Sequence, residues 1–188
     1  RGIKLENNIK SLILEAQRGN TEAFHELVSF YDERVMILAL QLTRDKQDAE
    51  DLYQEVFMKA FKAIESFRLE SEFFTWLYRI TVNSFYNLQR KASRIQQQES
   101  LDPEKESTHN IADETMSTSE KSEIRSAVSK ALSQLPTQQK TVFVMKHYEG
   151  MKIREISNIL DISDGSVKRY LFRAMEKLRP VLKEYRYV

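Results

Sequence analysis

The chain has 188 residues, 41% of them hydrophobic and 30% charged, with four glycines, three prolines and no cysteine. That bulk suits one soluble globular domain or two small ones. Scarce glycine and proline argue against a sheet-and-turn fold and for long helices, and the lack of cysteine excludes a disulfide framework or a thiolate metal site and suits a reducing cytoplasm. The net charge is only +1 but it is unevenly spread: residues 96–136 carry 4 basic against 8 acidic groups, and residues 137–188 carry 11 against 6. A basic C-terminal block fits an anionic partner or simply a solvated face.

The first residues, Arg1-Gly2-Ile3-Lys4-Leu5-Glu6, contain no apolar signal region, and without an initiator Met they read as a processed or tagged start, so Arg1 and Gly2 are left out of the fold reading. The longest apolar run, Val35 to Leu40, is far short of the roughly 20 residues a spanning helix needs, so no membrane insertion is expected. A first helix is predicted from about Ile3 to Arg18, with Ile9, Leu12, Ile13 and Ala16 inward. Gly19-Asn20 then supplies a stop followed by a cap. A long second helix through Thr43 carries Phe24, Leu27, Val28, Tyr31, Val35, Leu38 and Leu42 at helical spacing. Asp45 reads as the next N-cap, with Asp48 at the favourable end of the dipole. A third helix runs to about Ser66 and buries Ala49, Leu52, Val56, Phe57, Ala60, Phe61 and Ile64, after which Phe67 to Glu72 reads as a loop.

The stretch Phe73 to Lys91, FFTWLYRITVNSFYNLQRK, has six aromatics in its first fourteen residues. Read as a helix ending near Ser93, it turns Phe73, Leu77, Ile80 and Leu88 to a core, and Trp76, Arg79, Asn83, Tyr86 and Arg90 to another side. Rings stack on unpaired bases, amides read base edges and guanidinium groups hold phosphate. A nucleic-acid surface and an amphipathic core helix with snorkelling polar groups both fit this pattern.

From Gln96 to Glu120 the apolar pattern collapses into a polar, acidic segment that cannot bury enough surface to order itself. It is read as a linker, with a surface helix as the alternative. Beyond it, Ile124, Ala127, Val128, Ala131, Leu132 and Leu135 mark a helix that stops before Pro136. Thr137 is expected to cap the next helix, which Gly150 ends. Lys152 to Leu178 then has the layout of a helix-turn-helix. Its first helix turns Ile153, Ile156, Ile159 and Leu160 inward; Asp161-Ile162-Ser163 makes the turn, Asp161 standing where glycine is usual; Ser163 caps the second helix, which buries Val167, Leu171, Ala174 and Leu178. The outer face of that helix shows Asp164, Ser166, Lys168, Arg169, Phe172 and Arg173, groups suited to base edges and phosphates in a major groove. A plain αα-hairpin in a bundle is the competing reading. The expected fold class is all-α: two small helical domains joined by a flexible linker, the C-terminal one containing the helix-turn-helix.

Catalytic patterns are missing. His25, His109 and His147 lie in separate segments without partners at ligand spacing, and the sequence has no phosphate loop, GxGxxG or GxSxG. The carboxylates of Asp45 to Glu55 sit on a helix without an oxygen-rich loop, which favours a solvated or partner-facing surface over a metal site. No enzyme activity, metal or cofactor is expected.

Asp48-Ala49-Glu50-Asp51-Leu52-Tyr53-Gln54-Glu55-Val56-Phe57 resembles the DAEDLxQEvF signature of bacterial sigma factors. Phe74 to Ile80, with Asn83, resembles that family's FxtWLyrIaxN segment. Leu135-Pro136, the helix-turn-helix and Val167 to Ala174 resemble its LP…VksrlhRA pattern. Three motifs in order make the chain similar, from about Asn20 onward, to the small extracytoplasmic-function (ECF) class of the sigma-70 family, which has regions 2 and 4 joined by a linker.

The resemblance implies a promoter-specificity factor of the bacterial cytoplasm. It would bind RNA polymerase core, recognise the −10 and −35 promoter elements and assist strand opening. By position, residues 3–95 would be region 2, residues 96–120 the linker and residues 121–188 region 4. Asp48, Asp51, Gln54 and Glu55 would dock on the β′ clamp helices. Phe67 to Glu72, Phe67 and Arg68 included, would form the loop that captures a flipped −10 base, and Trp76, Arg79, Asn83 and Arg90 would contact DNA there. For Trp76, packing of the loop is an equal alternative. Asp164, Ser166, Lys168, Arg169 and Arg173 would grip the −35 element, the basic block would meet the β flap, and an anti-sigma factor would hold the protein inactive. Asn87 stands where an aspartate is common and the loop sequence is idiosyncratic, so the −10 letters are not implied. The alternative function is a stand-alone helix-turn-helix regulator on duplex DNA. It leaves the acidic helix without a role.

Overall fold

The computed structural model describes residues 2–99 and 120–184. All regular structure among the described residues is helical: α1 (Gly2–Gln17), α2 (Thr21–Ser29), α3 (Asp32–Thr43), α4 (Lys46–Ala63), α5 (Phe73–Glu99), α6 (Glu120–Ser133), α7 (Thr137–His147), α8 (Ile153–Leu160) and α9 (Asp164–Glu184), with one 3-10 turn at Ile64–Ser66. The all-α expectation holds. The chain divides into two compact units, Arg1–Phe85 and Tyr86–Val188. Of the segment read as a linker, residues 100–119 lie outside the described residues; residues 96–99 form the last turn of α5, which outruns the predicted end at Ser93, and Glu120 opens α6.

In the first unit the predicted punctuation forms. Gly19 takes φ +91°, open to glycine at no steric cost, and ends α1. Asn20 caps α2, its Oδ1 accepting from the N–H groups of Glu22 at 3.0 Å and Ala23 at 3.2 Å. Asp45 caps α4 by accepting from the Asp48 N–H at 2.8 Å. The single helix expected through Thr43 is instead two. The N–H groups of Phe30 and Tyr31 turn back to the carbonyls of Leu27 and Val28, a tightened closing turn. Asp32 and Glu33 then open α3 at the end where the dipole favours acids, and Asp32 Oδ1 accepts from the Glu33 N–H. The break lets the Tyr31 ring lie against Phe73 and Phe74, at 5.3 and 5.9 Å between centroids.

Two predicted core positions on α4 are also corrected. Ala49, Leu52, Val56 and Ala60 are fully buried, but Phe57 is half-buried and Phe61 is 47% exposed. The 3-4-4 spacing of the buried four defines the inner stripe, and the two phenylalanines fall to one side of it. Phe61 meets the Phe24 ring edge-on at 5.1 Å and stays open on its other face. On α5 the buried line runs through Phe74, Leu77, Tyr78, Thr81, Val82 and Phe85; Phe73 is buried as expected, whereas Ile80 and Leu88 are only half-buried.

The second unit closes on Leu132, Leu135, Phe143, Ala174 and Leu178, with Val128, Ala131 and Met175 packed against them. Pro136, not Thr137, holds the cap position of α7 (φ −53°, ψ 142°), because its fixed φ and extended ψ set up the first turn; Thr137 is already helical. Gly150 at φ +67° follows α7. Asp161 takes the left-handed conformation (φ 53°, ψ 48°) that the turn between α8 and α9 demands. Asp161→Gly relieves that strain, less the extra entropy glycine brings to the unfolded chain. It is expected to stabilise the second unit by about 0.5 kcal/mol, read as a raised urea midpoint.

Candidate polymerase and nucleic-acid interfaces

The acidic helix presents its predicted residues on the side away from the core. At about 100° per residue, Asp51 and Gln54 point well over a quarter-turn away from the line Ala49, Leu52, Val56 and Ala60, and Asp48 points about a quarter-turn away. All three are exposed. Glu55 is half-buried. Its carboxylate is paired with Lys59, whose Nζ also donates to Ser84 Oγ at 3.0 Å on α5. Glu55 thus ties α4 to α5 and offers a partner less charge than Asp51. Met58, 59% exposed, continues the outer face beyond Gln54 as an apolar step that periodicity alone did not mark.

The loop after the 3-10 turn is exposed from Arg68 to Glu72, with Leu69 at φ +57°. Phe67, predicted to face DNA, is only 6% exposed. Its ring sits 5.6 Å from Phe73 and 5.0 Å from Trp76, and Trp76 sits 5.3 Å from Phe73. Trp76 is half-buried by this packing, so in the free chain it seats the root of the loop. Along α5, Arg79, Asn83 and Arg90 are exposed on one side, opposite Phe74, Tyr78, Thr81 and Phe85. Tyr86, on the same side, is half-buried, and burial raises its phenol pKa.

The α8–α9 pair has the geometry of a helix-turn-helix. The Lys152 N–H donates to Glu155 Oε2 at 2.7 Å at the start of α8. Ser157 Oγ donates to the Ile162 carbonyl at 2.6 Å and so braces the turn, in which Ile162 is half-buried. Ser163 caps α9, its Oγ accepting from the Ser166 N–H at 3.1 Å. Ser166 Oγ lies 3.0 Å from Ser163 Oγ and 3.5 Å from Arg169 Nη2, so the cap also restrains Arg169. Val167, Ala174 and Leu178 are buried and Leu171 half-buried. Asp164, Lys168, Arg169 and Arg173 are exposed, and Ser166 is partly so. Phe172, between the two arginines, is 61% exposed. An apolar ring there suits a thymine methyl group. Phe172→Ala is expected to weaken binding to −35 duplex about tenfold without lowering the melting temperature, read by titration and thermal denaturation.

Residues 27–95 match the family described as Sigma-70 region 2, and residues 125–178 match Sigma-70, region 4. The chain is 31% identical to the RNA polymerase sigma-H factor of Pseudomonas aeruginosa over 187 residues, covering 93% of this chain and 96% of that protein. It is 34% identical to the ECF RNA polymerase sigma-E factor of Haemophilus influenzae over 185 residues, covering 92% and 96%. Among solved structures it resembles the sigma factor RpoE in complex with the anti-sigma factor NepR from Bartonella quintana, with a TM-score of 0.66, 26% identity, and coverage of 85% of this chain and 96% of that one. With both domains matched and relatives spanning nearly the full length, the chain belongs to the ECF group of the sigma-70 family and is a promoter-specificity factor for RNA polymerase.

Proposed function

We propose that two sigma regions divide initiation between them: residues 3–95 dock on polymerase core and capture the −10 element, residues 121–188 read the −35 element, and residues 96–120 link them. The extents of the two family matches support that division. Asp48, Asp51 and Gln54 meet the β′ clamp helices, Glu55 bracing the helix that carries them. Arg68 with the rest of the exposed loop, and Arg79, Asn83 and Arg90, meet the −10 strand. Phe67 and Trp76 hold the loop in shape. Asp164, Ser166, Lys168, Arg169 and Arg173 grip the −35 duplex, and the basic C-terminal block meets the β flap. The mechanism is binding and strand capture without covalent chemistry, in the cytoplasm of a bacterium where polymerase works. Each domain alone binds DNA weakly, and tethering through polymerase supplies the effective concentration that makes two spaced elements specific. The likeness to a sigma factor solved with its anti-sigma factor supports an anti-sigma partner here as well.

The observation that carries this reading is the exposed row Asp48, Asp51 and Gln54 on a helix whose Ala49, Leu52, Val56 and Ala60 are buried in the core, in the same chain as a capped recognition helix. A stand-alone regulator has no use for that row. Run-off transcription with purified core polymerase tests it: a promoter-specific transcript that depends on this chain is expected. No transcript, together with tight duplex binding by the chain alone, overturns the proposal in favour of the stand-alone regulator.

A further inference from the structure

We propose that Gln17, at the end of α1, is a positioning residue for −10 recognition; this rests on the reading that the loop of residues 67–72 captures an unpaired base. The side-chain Nε2 of Gln17 donates to the carbonyls of Ile64 at 3.0 Å and Phe67 at 2.6 Å. A primary amide has two N–H hydrogens, and here each has one acceptor. Both partners are carbonyls, so only the nitrogen end of the amide fits this place. The Phe67 N–H is itself bound to the Ile64 carbonyl at 3.0 Å. Both backbone polar groups of the residue before the exposed loop are therefore held, and its ring is wedged between Phe73 and Trp76. At the far end the Glu72 carbonyl accepts from the Trp76 N–H at 3.2 Å. Between these anchors Arg68, Leu69, Glu70 and Ser71 are exposed, and Leu69 is held at φ +57°.

A short loop fixed at both ends has few conformations, and a base pocket built from it is only as well shaped as its anchors. Gln17 supplies one anchor from a helix that precedes the region-2 match at residues 27–95. It touches backbone rather than a side chain, so it acts whatever residues the loop carries. Its effect on DNA is indirect, through where Phe67 places the start of the loop.

The test uses full-length chain bound to core polymerase and forked promoter templates whose −10 strand is single-stranded, each base substituted in turn. Gln17→Met keeps the bulk and removes the donors; Gln17→Glu keeps the shape and sets oxygens against the carbonyls. Both are expected to hold core affinity and −35 duplex affinity within about twofold while lowering preference for the cognate unpaired base by about fivefold. Unchanged preference in a folded variant, while Arg68→Ala or Leu69→Ala lowers it, overturns the role of Gln17 and leaves base capture by the loop intact. If neither the loop variants nor the Gln17 variants alter preference, base capture by the loop falls and the proposal falls with it. Should a Gln17 variant fail to fold, NMR of the wild-type chain decides. Slow exchange of both Gln17 side-chain amide protons with solvent, in the free chain and with single-stranded −10 oligonucleotide bound, supports the clamp, and exchange at the rate of a solvated amide overturns it.

Discussion

Asp51→Arg is expected to weaken binding to RNA polymerase core by about thirtyfold or more, with run-off transcription falling in step at limiting core. Asp51 is exposed on α4, while Leu52 beside it is fully buried. The substitution therefore alters a surface without disturbing the packing beneath, and the melting temperature should hold. The size of the effect follows from desolvation: a reversed charge facing a cationic partner loses an attraction, gains a repulsion and leaves a cation buried unpaired. Glu26→Arg, at an exposed position of α2, makes the same change in net charge and separates a local effect from a global one. If both variants weaken core binding equally, long-range steering explains the loss. If Asp51→Arg alone leaves it intact, α4 is not the docking helix. Binding of −35 duplex by the free chain should be unchanged by either substitution. A smaller loss is expected at Glu55, because its carboxylate is already neutralised by Lys59.

Replacing Arg169 and Arg173 together by alanine is expected to weaken −35 duplex binding by at least about a hundredfold. Both are exposed on the outer side of α9, and Arg169 is held within 3.5 Å of the hydroxyl of Ser166 next to the cap. A restrained guanidinium loses less freedom on binding than a loose one, so its removal costs correspondingly more. The two losses are distinguishable by salt. An arginine that contacts phosphate lowers the dependence of log affinity on log salt by about one unit when it is removed. One that pairs with a guanine edge instead relaxes discrimination at one base pair. Single substitutions, titrated at several salt concentrations on cognate and mutated duplex, sort the two arginines into these roles. Core binding should be unaffected through α4. A double variant that binds −35 duplex as the parent does shows that α9 is not the recognition helix.

Local chemistry carried much of this structure. The stop at Gly19, the caps at Asn20, Asp45 and Ser163, and the left-handed turn at Asp161 each depend on a side chain and its immediate neighbours, so the order of residues contains them. The exposed faces of α4 and α9 were equally legible, because helical periodicity assigns polar residues to the side away from an apolar stripe. The misses share a cause. The break between α2 and α3, the half-open Phe61 and the outward tilt of Ile80 and Leu88 follow from what lies across the core, which no local pattern encodes.

The division is clearest around the loop that follows the 3-10 turn. Sequence by itself determined that a loop stands there, that helices flank it, and that its motifs are those of a sigma factor. Tertiary structure decided which of its residues face outward. Phe67 is drawn inward because Phe73 and Trp76, six and nine positions later, offer it an aromatic seat. The loop's start is tied to Gln17, fifty residues earlier, by a bond between a side chain and the backbone. Bonds to backbone leave no trace in residue type at the accepting end, and contacts across such separations follow no helical period. They exist only once the helices have packed.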